Sequence, residues 1–174
     1  MKIESDIKLD FSDVLIRPKR TTLTSRSEVN LEREFKFPHS NNVWKGIPII
    51  AANMDTTGTL NVMKHLSSHK LLTCLHKFYN LEDYKNLSIK DEYWSIISTG
   101  IGKKDLIKIK SILDMRKLKL GETYINTLNF VCVDVANGYM QSVVDFCQNL
   151  RSLYPNIILI AGNVATREMT EELI

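Results

Sequence analysis

The chain of 174 residues is defined first by what it lacks. No apolar run approaches the ~18 residues of a membrane-spanning helix, so none is predicted. The first residues, Met1 to Asp6, carry acids and no apolar segment, which predicts no secretory signal. The three cysteines, Cys74, Cys132 and Cys147, form no CxxC pair. An odd number without a framework points to a reducing compartment and no disulfides, so the cytoplasm is the expected location. No Cys/His set has metal-ligand spacing. His65 and His69 lie four apart, but Leu66 stands where a zincin needs glutamate, so a solvated helix end is the better interpretation. Charge is equally unremarkable. The net value is +3, and there is no dense cationic cluster beyond Arg17-Pro18-Lys19-Arg20. That argues against nucleic acid binding. The tetrapeptide reads as a solvated loop, with a phosphate or partner contact as the minority alternative. The Walker A spacing is absent. Gly100-Ile101-Gly102 follows an apolar run and precedes a helical pattern, so its N–H groups could meet a phosphate. It lacks the third glycine of a dinucleotide fingerprint, and a plain turn is the stronger alternative.

What is present is an ordinary globular composition, 44% apolar and 25% charged, in a chain long enough for one domain with a real core. Residues 1–46 read as an irregular segment packing on the rest of the chain, with an extended piece over 31–37. From Ile47 a rhythm begins. Short apolar runs at 47–52, 71–76, 94–99, 129–135 and 156–162 alternate with helical patterns at 59–70, 81–87, 104–118, 139–154 and 167–174. Residues 116–128 read as a longer loop around Gly121. Strands apolar on both faces, alternating with helices, predict a parallel sheet covered by helices, here in five βα units over 47–174.

Each strand delivers a polar group at its C-terminal end. These are Asn53 and Asp55, then His76 and Lys77, then Ser98-Thr99-Gly100, then Asp134, then Asn163. In a (β/α)8 TIM barrel those ends converge on one mouth. In an open doubly wound sheet only the ends at the switch point share a site. Five polar ends favour the barrel, although polar residues are also normal where a strand runs into a loop. Asp134 and Asn163 are the better candidates, because each follows an unbroken apolar strand where an unpartnered polar group is costly. Lys77 ends an apolar strand; it could be desolvated and suited to proton transfer, or it could snorkel to water. Cys132 reads as a core residue on the same face as Phe130 and Asp134, opposite the valines.

Four segments carry a resemblance to a known family: LDFSDVLIRPKRTTLTSRSEV (9–29), GIPIIAANMDTTGT (46–59), LHKFYN (75–80), and FVCVDVANGY with AGNVATREMTEELI (130–139 and 161–174). Together they resemble the IMP dehydrogenase/GMP reductase family of (β/α)8 enzymes, and within it the reductases. The resemblance runs from about residue 6 onward. It implies NADPH-dependent reductive deamination of GMP to IMP and ammonia. It also implies a homotetramer with cofactor contacts across subunits. By the same resemblance, Asp134, Val135 and Ala136 hold the nicotinamide half of the cofactor, with Asn163 and Thr99 beside them. Lys77 contacts cofactor and serves the deamination step, with Asp13 linked to it. Ser25 and Arg26 reach the cofactor of a neighbouring subunit, and Met54 packs near the purine.

Some features depart from the family pattern. The family's nucleophilic cysteine lies in a loop of the type Gly-Pro-Gly-Ser-x-Cys-Thr-Thr that is not among these residues, and none of Cys74, Cys132 or Cys147 substitutes for it. The resemblance therefore implies a barrel of which this chain supplies about the first five units, with no reductase activity expected of these residues alone. Ile101 stands where a hydroxyl residue is usual, and Phe78 and Asn80 replace a histidine and a serine. Two alternatives remain open: IMP dehydrogenase-like oxidation of IMP with NAD, and a catalytically dead half-barrel acting as an interaction module.

Overall fold

The structure, a computed structural model, describes residues 5, 7, 9–40 and 42–174. It divides into two compact units, Met1–Asn30 and Leu31–Ile174. In the first, the described residues form two short 3-10 turns, Phe11–Asp13 and Arg26–Glu28. Asp10 caps the first turn, and the Asp13 carboxylate accepts the Asp10 backbone N–H at 2.8 Å. Ser25 caps the second by accepting the Ser27 N–H at 3.3 Å.

The second unit opens with an antiparallel hairpin, β1 (Arg33–Lys36) and β2 (Val43–Gly46). The sequence placed these residues with an irregular segment ending at 46. They belong instead to the larger unit, because Trp44 is buried among residues of the sheet. Five parallel strands follow in chain order, β3 (Ile50–Ala51), β4 (Leu72–Leu75), β5 (Ser95–Thr99), β6 (Phe130–Asp134) and β7 (Ile158–Gly162). Each of β4 to β7 pairs with the strand before it. The order contains no reversal and therefore no switch point, which removes the doubly wound alternative and matches the start of a (β/α)8 barrel.

The connecting helices are α1 (Leu60–Ser68), α2 (Leu81–Lys85), α3 (Ile89–Tyr93), α4 (Lys103–Leu120), α5 (Gln141–Leu153) and α6 (Arg167–Leu173). The alternation of side chains along the strands divides the interior into two clusters. Leu75, Ile97, Val131 and Val133 face the helices and pack with Met63, Ile109, Ile112, Leu113, Phe146 and Leu150. Leu72, Cys74, Ile96, Phe130 and Ile158 face the other way and pack with Trp44, Trp94 and Leu128. The hairpin closes the N-terminal end of this second face: Phe37 meets Phe130 edge-on at 5.6 Å, and Trp44 meets Trp94 at 6.2 Å.

Two elements differ from the sequence expectation. Helix α4 runs to Leu120, and a 3-10 turn over Gly121–Asn126 follows, so the predicted loop at 116–128 is mostly helical. The buried stripe of α4 is Ile109, Ile112, Leu113, Arg116 and Leu120. A charged residue in the fourth position broke the apolar pattern while keeping the helical spacing. Helix α3 was also unexpected, although Ser88 and Asp91 form the reciprocal cap that marks a helix start: the Ser88 hydroxyl accepts the Asp91 N–H at 3.1 Å.

Candidate active site at the C-terminal ends of the strands

The polar residues at the strand ends assemble around Asn53. This residue follows β3 and is half-buried. Its side-chain amide donates to the Asp134 carboxylate at 2.8 Å and to the Ser98 hydroxyl at 3.0 Å. Three segments of the sheet are thus tied together at one end. The strand geometry explains the meeting. Ser98 pairs with Cys132 in register, and Asp134 lies two residues further along the same face. The partner that an otherwise apolar strand requires for its terminal carboxylate is therefore the amide of Asn53.

Asp134, Val135 and Asn163 come together through the backbone. The Val135 N–H donates to Gly162 O at 2.9 Å, and the Asn163 N–H donates to Val135 O at 2.7 Å. The Asn163 side chain and Ala136 are exposed. The Asn163 amide thus has water available, contrary to the expectation that it needed a buried partner. The Gly138 N–H donates to Asn163 O at 2.9 Å, and a Cβ at Gly138 would lie 2.6 Å from that same oxygen. Gly138→Ala is accordingly expected to cost about 1–3 kcal/mol by forcing the two loops apart. Urea unfolding measures it, and an unchanged midpoint would show that the loops separate freely.

Thr99 falls on the opposite face from Asp134. It is fully buried, and its hydroxyl donates to Gly100 O at 3.1 Å. Ser98, one residue earlier, is the β5 side chain that reaches the Asn53 cluster. Lys77 is exposed in the turn after β4, so the desolvated alternative does not hold for these residues. Its carbonyl accepts the Lys108 ammonium at 2.5 Å. Burial lowers the pKa of that ammonium, and the Lys77 charge adds to the effect against the opposing pull of Asp105. Met54 is 59% exposed, and its carbonyl accepts the N–H groups of Thr57 and Gly58 in a tight turn. Asp13, Ser25 and Arg26 belong to the first unit, where all three are exposed.

The turn at Gly100-Ile101-Gly102 is filled by its own helix. The Gly102 N–H donates to the Asp105 carboxylate at 3.0 Å, and a Cβ at Gly100 would meet that carboxylate at 2.8 Å. A carboxylate there favours the plain-turn alternative over a phosphate cradle. Cys74 is buried and its thiol is pushed up by contact with Cys132 and by burial, which makes it a poor nucleophile. Sequence reasoning passed over Asn53 and Ser98 as functional partners, and also Tyr139. The Tyr139 hydroxyl oxygen accepts the Ala165 and Thr166 N–H groups at 2.8 and 2.9 Å, fixing the loop after β7.

A singly wound parallel sheet, with a hydrogen-bonded polar cluster at the C-terminal strand ends, defines the barrel class of α/β enzymes. The family model described as IMP dehydrogenase / GMP reductase domain matches residues 8–174. The chain belongs to this family. It is 49% identical over 178 aligned residues to a GMP reductase of Shigella boydii serotype 18, an alignment that covers 100% of this chain and 49% of the relative. A GMP reductase of Buchnera aphidicola subsp. Acyrthosiphon pisum (strain Tuc7) is likewise 49% identical, with 48% of the relative covered. The chain thus spans about half the length of the curated relatives it matches. The crystal structure of inosine 5'-monophosphate dehydrogenase from Legionella pneumophila superposes with a TM-score of 0.70 at 26% identity. That superposition covers 94% of this chain and 46% of the other.

Proposed function

We propose that these residues form the cofactor-binding half of a cytoplasmic GMP reductase, which converts GMP and NADPH to IMP, ammonia and NADP. The observation that carries the proposal is the Asn53–Ser98–Asp134 cluster, set at the barrel mouth of a chain 49% identical to GMP reductases. The lower identity of 26% to an IMP dehydrogenase supports the reductase over the dehydrogenase.

The residues present fit a nicotinamide. Only one oxygen of Asp134, Oδ2, is engaged by Asn53, and Oδ1 has no hydrogen bond among the described residues. A half-buried carboxylate with one free oxygen suits a carboxamide donor, and the Asn53 bond fixes its direction. When bound, NADPH supplies hydride. Asp134 orients the ring, while the Val135 and Asn163 backbones hold the two neighbouring loops in register. Ala136 lines the same loop, and Thr99 supports it from the helix side. Lys77, exposed at the mouth, is free to hold a proton for the departing amine. By the family resemblance alone, Asp13 is assigned to that lysine. Ser25 and Arg26 meet the cofactor phosphate of a neighbouring subunit in a homotetramer. Met54 packs against the purine.

Assay of the product of the whole reading frame decides between the chemistries. GMP-dependent oxidation of NADPH is the expected result. IMP-dependent reduction of NAD without it would replace the proposal by the dehydrogenase reading.

A further inference from the structure

The end of the sheet opposite the mouth carries a groove that the Asn53 cluster does not use. It has a volume of about 450 Å3, within the range of small-molecule sites. Its floor is Asn129 and Ile157, both buried residues just before β6 and β7. Its walls include Tyr124 and Tyr154. The Tyr154 hydroxyl is already committed, donating to the Asp114 carboxylate at 2.9 Å. The Tyr124 hydroxyl is not: it is buried and has no hydrogen-bond partner among the described residues. A buried phenol without a partner asks for an explanation. The rim adds Lys110 and Lys117, seven residues apart on one face of α4. Both are exposed, and neither lies within ion-pair distance of a carboxylate among the described residues.

We propose that this groove binds a small aromatic molecule carrying an anionic group. The ring lies against the tyrosines, a polar substituent meets the Tyr124 hydroxyl, and the anion faces Lys110 and Lys117. The chemistry is complementary at each point. Aromatic walls favour a planar body, the orphaned hydroxyl supplies one directional bond, and two unpaired ammonium groups outweigh the single carboxylate of Asp114.

The test uses the product of the whole reading frame, with phenyl phosphate as probe and inorganic phosphate as comparison. Tyrosine ring signals are followed by NMR during titration. Saturable binding of phenyl phosphate with a Kd of about 1 mM or tighter is expected, with shifts at Tyr124 and Tyr154. The double variant Lys110→Ala/Lys117→Ala should weaken it about tenfold, and because both lysines are exposed the fold is retained. Tyr124→Phe, which keeps the ring, should weaken it about threefold or more. No saturation by about 10 mM, equal binding of inorganic phosphate, or affinity unchanged in both variants would each overturn the proposal. No reductase activity enters the measurement, so its failure is separate from failure of the proposed reductase function.

Discussion

Glu92→Gln is expected to destabilise the protein by about 3–5 kcal/mol, because it strips the charge partner from a buried guanidinium. Arg116 is 1% exposed and Glu92 5%, and the two lie 3.6 Å apart. Arg116 also donates to the Ser95 hydroxyl at 3.1 Å and to Asn129 at 3.4 Å, and it sits 5.8 Å from the ring centre of Tyr84. Lys119 pairs with the second oxygen of Glu92 at 2.8 Å and reaches the Leu87 carbonyl. Burial lowers the Arg116 pKa and Glu92 opposes that, so the carboxylate is what keeps the charge tolerable. The network joins α3 and α4 to the N-terminal ends of β5 and β6, under the strands that carry the mouth. With a urea slope of about 1–3 kcal/mol per molar, the midpoint should fall by roughly 1–5 M. The apolar pair Glu92→Leu/Arg116→Met should regain most of the loss, because it removes both buried charges together. A midpoint for Glu92→Gln within experimental error of the parent would show that the network contributes nothing to stability.

This network also shows where the sequence was opaque. The five strands were legible, because continuous apolar runs separated by amphipathic helices have few other solutions. The extent of α4 was not, because Arg116 breaks the apolar stripe and its burial depends on Glu92, 24 positions earlier in the chain. The site was legible to the same degree. Asp134 stood out as a carboxylate ending an apolar strand. Its partner Asn53 lies 81 residues away, and no local pattern distinguishes that asparagine from any other polar residue after a strand. Ser98 was hidden beside Thr99 for a different reason. Both are small hydroxyl residues, and only the register of β5 against β6 decides which faces Asp134.

The cluster itself yields the second large effect, which rests on the proposed cofactor role. Asp134→Ala should weaken NADPH binding at least about thirtyfold, the scale for losing a partly desolvated charged hydrogen-bond partner. Binding is read from the fluorescence of the reduced nicotinamide on the product of the whole reading frame. Stability should move by less than about 1 kcal/mol, because the Asn53 amide keeps its bond to Ser98. Asn53→Leu separates orientation from charge. It leaves Asp134 in place without its donor, so it should cost about 1–3 kcal/mol in stability and weaken NADPH less than Asp134→Ala does. Asp134→Asn completes the series. Its amide oxygen can still accept from Asn53, but its NH2 then faces the ligand's own donor, so affinity should fall nearly as far as in the alanine variant. Equal NADPH affinity in the parent and Asp134→Ala would remove the carboxylate from cofactor binding. The Asn53 bond would then serve only to close the strand ends.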